Sequence, residues 1–202
     1  MKLRTTALPA IGLMATILLA GCTSTGSSGE MSGMDHGSPS ATSDSDPAAD
    51  FNDADVAFAM SMIVHHQQAI EMSDVLLEKD DVDPDVAELA QTIKDAQQPE
   101  IDAMTQWLDD WGQPMDPTGM DGMDHDEMMM SEDDMAALES ATGEEASTLF
   151  LEQMIIHHEG AIDMAETQVT EGQNPDAITL AEKIIDDQTA EIQQMRDLLG
   201  AS

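Results

Sequence analysis

The chain has 202 residues, with 42 Asp and Glu against six Lys and Arg, a formal net charge of −36, 18 Met, six His and a single Cys. So acidic a chain excludes nucleic acid as a partner, because phosphate backbones are held by Lys and Arg. It also disfavours adsorption to an anionic membrane face and favours the accumulation of cations.

Lys2 and Arg4 precede an apolar run from Ala7 to Leu19 that ends in Leu19-Ala20-Gly21-Cys22. A charged start, a short apolar middle and small residues before a cut are the features of a secretory signal. The run is too short to be a permanent membrane span. Cysteine directly after Leu-Ala-Gly resembles the lipobox of bacterial lipoproteins. Residues 1–21 are therefore expected to be removed, leaving Cys22 as a lipid-modified residue that anchors an extracytoplasmic protein. With that thiol consumed, soft-metal chemistry would rest on methionine. Residues 22–50, rich in Gly, Ser, Thr and Asp, are expected to be a disordered tether.

From residue 51 to 200 the pattern is helical. Phe58, Met62, His65, Ala69, Met72 and Leu76 fall three and four apart, one stripe of a helix over 53–78. Asp83-Pro84 predicts an N-cap and first helical position. The second helix carries Val86, Ala90, Ile93, Gln97, Met104 and Leu108 and stops at Gly112. Pro99 lies inside it and is expected to kink or break it near Gln98. Residues 112–131, Gly, Pro, Asp and Met, predict a loop long enough to suggest function. A short helical piece follows over 131–140. Thr142 with Glu145 predicts a capping box for a third long helix, ending at Gly172, with Phe150, Met154, His157, Ala161, Met164 and Gln168 on its stripe. Asn174-Pro175 opens a fourth, expected to stop at Gly200.

The halves are copies. Phe58, Met62, His65, His66, Ala69, Ile70 and Met72 recur 92 residues later as Phe150, Met154, His157, His158, Ala161, Ile162 and Met164. Leu89, Ile93, Gln97, Glu100, Ile101, Met104 and Leu108 recur 91 later as Leu180, Ile184, Gln188, Glu191, Ile192, Met195 and Leu199. Two such hairpins burying their stripes against each other make an all-α, up-down four-helix bundle.

All six histidines sit in two repeated motifs: His65-His66 with His157-His158, and Gly33-Met34-Asp35-His36 with Gly122-Met123-Asp124-His125. Met62 and Met154 stand one turn before their His pairs, on the same helix face. Imidazole with thioether suits Cu(I). Met72 and Met164, further along the stripes, join the candidate ligands. Gln97, Gln188, Glu100 and Glu191 are placed to orient an imidazole. A Met on a helical stripe is otherwise core filler, and a His there can be a buried, hydrogen-bonded packing residue. No helix carries the Glu-x-x-His motif of di-iron bundles. In the loop, Met120, Met123, His125 and Met128 lie among acids, a composition suited to capturing copper or, less selectively, other transition metals. A bare acidic low-complexity linker is the alternative there. A neutral imidazole is needed for binding, so affinity is expected to weaken as pH falls near 6.5.

The twinned Phe58-x3-Met62-Ile63-Val64-His65-His66-x2-Ala69-x2-Met72 helix, with Gln97-x2-Glu100-Ile101-x2-Met104 and its partner Gln188-x2-Glu191-Ile192-x2-Met195, resembles the family known as domain of unknown function 305, over about residues 51–199. The resemblance implies a ferritin-like four-helix bundle, export and, for some members, copper binding and resistance. The leading expectation is an extracytoplasmic lipoprotein that buffers copper or hands it to a partner, without turnover. A homo-oligomer is a further partner expectation, and the alternatives are a structural or interaction lipoprotein whose histidines are core and a ferritin-like oxidase.

Overall fold

The computed structural model describes residues 50–113 and 129–201. Cys22, the signal segment, the Gly33–His36 motif, Met120, Met123, His125 and Met128 lie outside the described residues.

Among the described residues five helices form, and four of them are capped by a nearby side chain. Before α1 (Asp53–Leu77), Asn52 and Asp55 exchange side chain-to-amide hydrogen bonds in a capping box. Asp83 accepts from the amides of Asp85 and Val86 to open α2 (Pro84–Asp110). Ser131 caps α3 (Glu132–Ser140). After α4 (Gly143–Glu171), Asn174 Oδ1 takes the amides of Asp176 and Ala177 at the start of α5 (Pro175–Ala201).

Three local expectations fail. Thr142 makes no side-chain cap; Gly143, with φ of +57°, turns the chain into α4 instead. Gly200 does not stop α5, which runs to Ala201, because a glycine without a following turn only weakens a helix. Pro99 does not break α2. Its ring and the neighbouring Gln98 are exposed, so the carbonyl that loses its amide partner is left on the solvent side.

The core is two apolar clusters rather than one. The first holds Ala69, Met72 and Leu76 of α1, Leu89 and Ile93 of α2, Phe150 and Met154 of α4, and Ile192 and Met195 of α5. The second holds Phe58 and Met62, Met104 and Leu108, Ala161 and Ala165, and Ala181 and Ile184. Met164, expected among the buried stripe residues, is only half-buried at the edge of the second cluster. Cluster membership gives the helix directions: α1 and α5 run one way, and α2 and α4 the other. Helix α2 therefore ends at the second cluster and α4 begins at the first, the arrangement of bundles whose halves are joined by one long crossover. Helix α3 lies in that link and packs on α1 and α4. The last part of the link is packed, with Met130 just before α3 and Leu138 within it buried in the first cluster. Gln68 fixes Met130 by donating to its carbonyl at 2.9 Å and accepting from its amide at 2.8 Å.

Candidate metal centre

Between the two clusters every long helix contributes polar residues: His65 and His66, Gln97 and Glu100, His157 and His158, Gln188 and Glu191. All but Glu191, which is half-buried, are buried. The repeat makes this layer. In each hairpin the His pair interrupts the stripe of the first helix, and the Gln-x-x-Glu interrupts that of the second, at the same height.

His65 and His157 meet where the two copies face each other, with ring centroids 3.7 Å apart and planes 35° from parallel. The second histidines turn outward toward the second helix of their own hairpin. His66 Nε2 lies 2.9 Å from Glu100 Oε2, and His158 Nε2 lies 2.7 Å from Glu191 Oε2. The carboxylates, not the amides of Gln97 and Gln188, orient the imidazoles. Glu100 also accepts from Lys183 Nζ at 2.8 Å.

Burial pushes His66 below the usual imidazole value of 6.5, against the opposing pull of its Glu100 hydrogen bond. Burial pushes His157 well below it, helped by the charges that His65, His158 and His66 would carry. Burial alone would raise Glu100, but hydrogen bonds from His66 and Lys183 hold its carboxyl below 4.5. A neutral His66 beside a charged Glu100 must donate from Nε2, which assigns the tautomer and leaves the Nδ1 lone pair bare. Neutral imidazoles below pH 6.5 also move the expected loss of metal affinity to more acid conditions than a free histidine would show.

Several polar atoms in this layer have no hydrogen-bond partner: Nδ1 of His66 and His158, both ring nitrogens of His157, both amide atoms of Gln97, and Oε1 of Gln188. Each such atom costs about 1–3 kcal/mol when buried. Among the described residues no three His, Cys, Asp or Glu side chains are grouped to hold a metal by themselves. A metal here would take a further ligand from outside that set, and thioether is a soft one. Met62 and Met154 are fully buried one turn before the His pairs, one in each apolar cluster. Bare imidazole nitrogens with methionine sulfur are a donor set that fits a soft ion such as Cu(I). Met72 and Met164 stand seven residues past His65 and His157, about 10 Å along the helix axis, two turns away from this layer rather than one.

Two features were missed in the sequence. Lys183 was unremarked, although it is one of few basic residues in the folded part. Asp55, fully buried, accepts from the Asn52 amide at 2.7 Å, Gln168 Nε2 at 2.5 Å and the amides of Gln173 and Asn174. The Asn52-x-x-Asp55 spacing is a signal for its capping role, but nothing local marks its hold on the turn between α4 and α5.

No curated protein matches the chain. Among solved structures, it is similar to a DUF305 protein of Streptomyces coelicolor described as secreted, with 34% identity and a TM-score of 0.68 over 73% of this chain and 93% of that one. It is similar to a DUF305 fragment from Deinococcus radiodurans, with 31% identity and a TM-score of 0.68 over 75% and 98%. It is also similar to CopM in its Cu(I)-bound form, with 31% identity and a TM-score of 0.61 over 73% and 96%; CopM has been crystallised with Ag and Cu(II) as well. The family model for the domain of unknown function DUF305 matches residues 55–199, nearly the whole folded part, and the chain belongs to that family.

Proposed function

We propose that this protein is an extracytoplasmic lipoprotein, anchored through Cys22, that binds copper ions and buffers them or passes them to a partner. The bundle sites would draw on His66 in one half and on His157 and His158 in the other, with His65 beside them and Met62 and Met154 supplying sulfur. A second, outer site would use Met120, Met123, His125 and Met128. The observation that carries this reading is the polar layer itself. A bundle gains nothing in stability from bare, buried imidazole nitrogens, and apolar residues of similar volume would pack there at lower cost. Copper and silver in CopM support the choice of ion.

Copper is cargo in this reading. The chain's contribution is to hold imidazoles neutral, fix their tautomers through Glu100 and Glu191, and exclude water from soft ligands. The test is anaerobic Cu(I) titration of the mature chain against a competing chelator. Changing His66 and His158 together to Gln should remove the bundle sites. Changing Met120, Met123, His125 and Met128 to Ser should remove the outer sites. Substitution is preferable to deletion, because Met130, directly after these residues, is part of the core. If all three proteins, parent included, bind no copper, an interaction lipoprotein with core histidines replaces this reading.

A further inference from the structure

The hairpins are copies, but the polar layer is not symmetric. In one half, Glu100 receives His66 on Oε2 at 2.9 Å and Lys183 on Oε1 at 2.8 Å, and Asp187 steadies Lys183 at 2.6 Å. In the other half, Glu191 receives His158 at 2.7 Å, and among the described residues no Lys or Arg pairs with it. The repeat position of Lys183 is Thr92, an exposed residue of α2 whose hydroxyl donates to the Glu88 carbonyl at 2.9 Å. Thr92 lines a cleft of about 290 Å³ together with Gln194, one turn beyond Glu191. The place where a second lysine would stand is open.

We infer that Lys183 makes the two His–Glu pairs unequal as copper ligands, the His158–Glu191 half binding more tightly than the His66–Glu100 half. The inference rests on the copper reading above. A carboxylate accepting from Nε2–H pushes electron density toward Nδ1 and strengthens it as a ligand. A cation on the same carboxylate draws that density away. It also adds a like charge near an incoming metal ion. Lys183 is half-exposed, so solvent screens part of its field, but Glu100, through which it acts, is buried. Glu191 has its whole charge for His158. Repulsion scales with ionic charge, so the inequality is larger for Cu(II) than for Cu(I).

The experiment uses the full mature chain carrying the four loop substitutions, so that only bundle sites titrate. Copper ion is added against a competing chelator, and imidazole 15N shifts are recorded on the metal-free protein. Two binding steps about tenfold apart are expected, at the lower end of what such orienting partners contribute. K183T should bring the steps together and K183R should keep them apart. T92K should weaken the tighter step. In the metal-free protein, K183T should move the His66 Nδ1 shift toward that of His158. Equal steps in the parent, or steps that K183T leaves unchanged, overturn the inference. If no copper binds at all, the copper reading fails separately, and a His66 shift unmoved by K183T still rejects the role given to Lys183.

Discussion

At the scale of single residues, the histidines are both a cost and a means. His157 sits fully buried against His65 with neither ring nitrogen hydrogen-bonded. Replacing it by Leu removes that desolvation penalty while keeping similar bulk. His157→Leu should therefore leave thermal stability equal or raise it by about 1 kcal/mol, while weakening copper binding. A clear drop in melting temperature would show that the ring is a packing element. The pH dependence follows from the same burial. Unfolded histidine takes a proton near 6.5, whereas folded His157 and His66 resist it. Between those values the unfolded state binds more protons, so stability is whole above 6.5 and is lost as pH falls toward the folded values. Glu100, held below 4.5, adds a further loss at still lower pH. Melting curves of the metal-free protein from about pH 7 to pH 5 should show the first loss, and His157→Leu should flatten it. A parent curve that is level across that range would contradict the burial argument.

At the scale of elements, the turn joining α4 to α5 is held by side chains rather than by helix signals. Gln168, Gln173 and Asn174 all donate to buried Asp55. Gly172 lets Gln168 lie close: a Cβ there would come within 2.3 Å of Gln168 Nε2 and 2.6 Å of its carbonyl oxygen. Its φ of −68° is open to any residue, so close approach, not conformation, requires the glycine. Gly172→Ala should destabilise by about 1–3 kcal/mol through overpacking, read by chemical denaturation. Gly200→Ala, with nothing within 4 Å of the added carbon, should cost nothing. Equal effects at both sites would remove the clamp from the account. The stripes of α1, α2 and α5 and the caps of α2 and α5 were legible because three-and-four spacing and Asn, Asp or Pro at helix starts act locally. The Thr142 cap was misjudged because the same local chemistry competes with the left-handed turn that Gly143 provides.

At the scale of the whole molecule, a net charge of −36 repels itself in the compact state. Added sodium chloride should raise the melting temperature of the metal-free mature chain. The steepest rise is expected up to about 0.15 M, where the Debye length falls to about 8 Å. A melting temperature that falls with salt would mean that ion pairs outweigh the repulsion. The exposed pair of Arg196 with Glu159 at 2.8 Å is of the kind that contributes little.

The sequence alone determined the duplicated hairpins, the helix class and the pairing of His65-His66 with His157-His158, because repeats and stripes are properties of neighbouring residues. It also put Gln97 and Gln188, beside Glu100 and Glu191, in the same seam as the imidazoles. Only the tertiary structure decided that the polar residues form one layer between two apolar clusters, that His65 and His157 meet ring to ring, and that α2 and α4 run the same way. These depend on how one hairpin meets the other, which the periodicity of either hairpin does not specify. The same holds for Lys183. Its charge was visible from the start, but its influence on one histidine of a symmetric pair arises only where α5 of the second copy lies across α2 of the first.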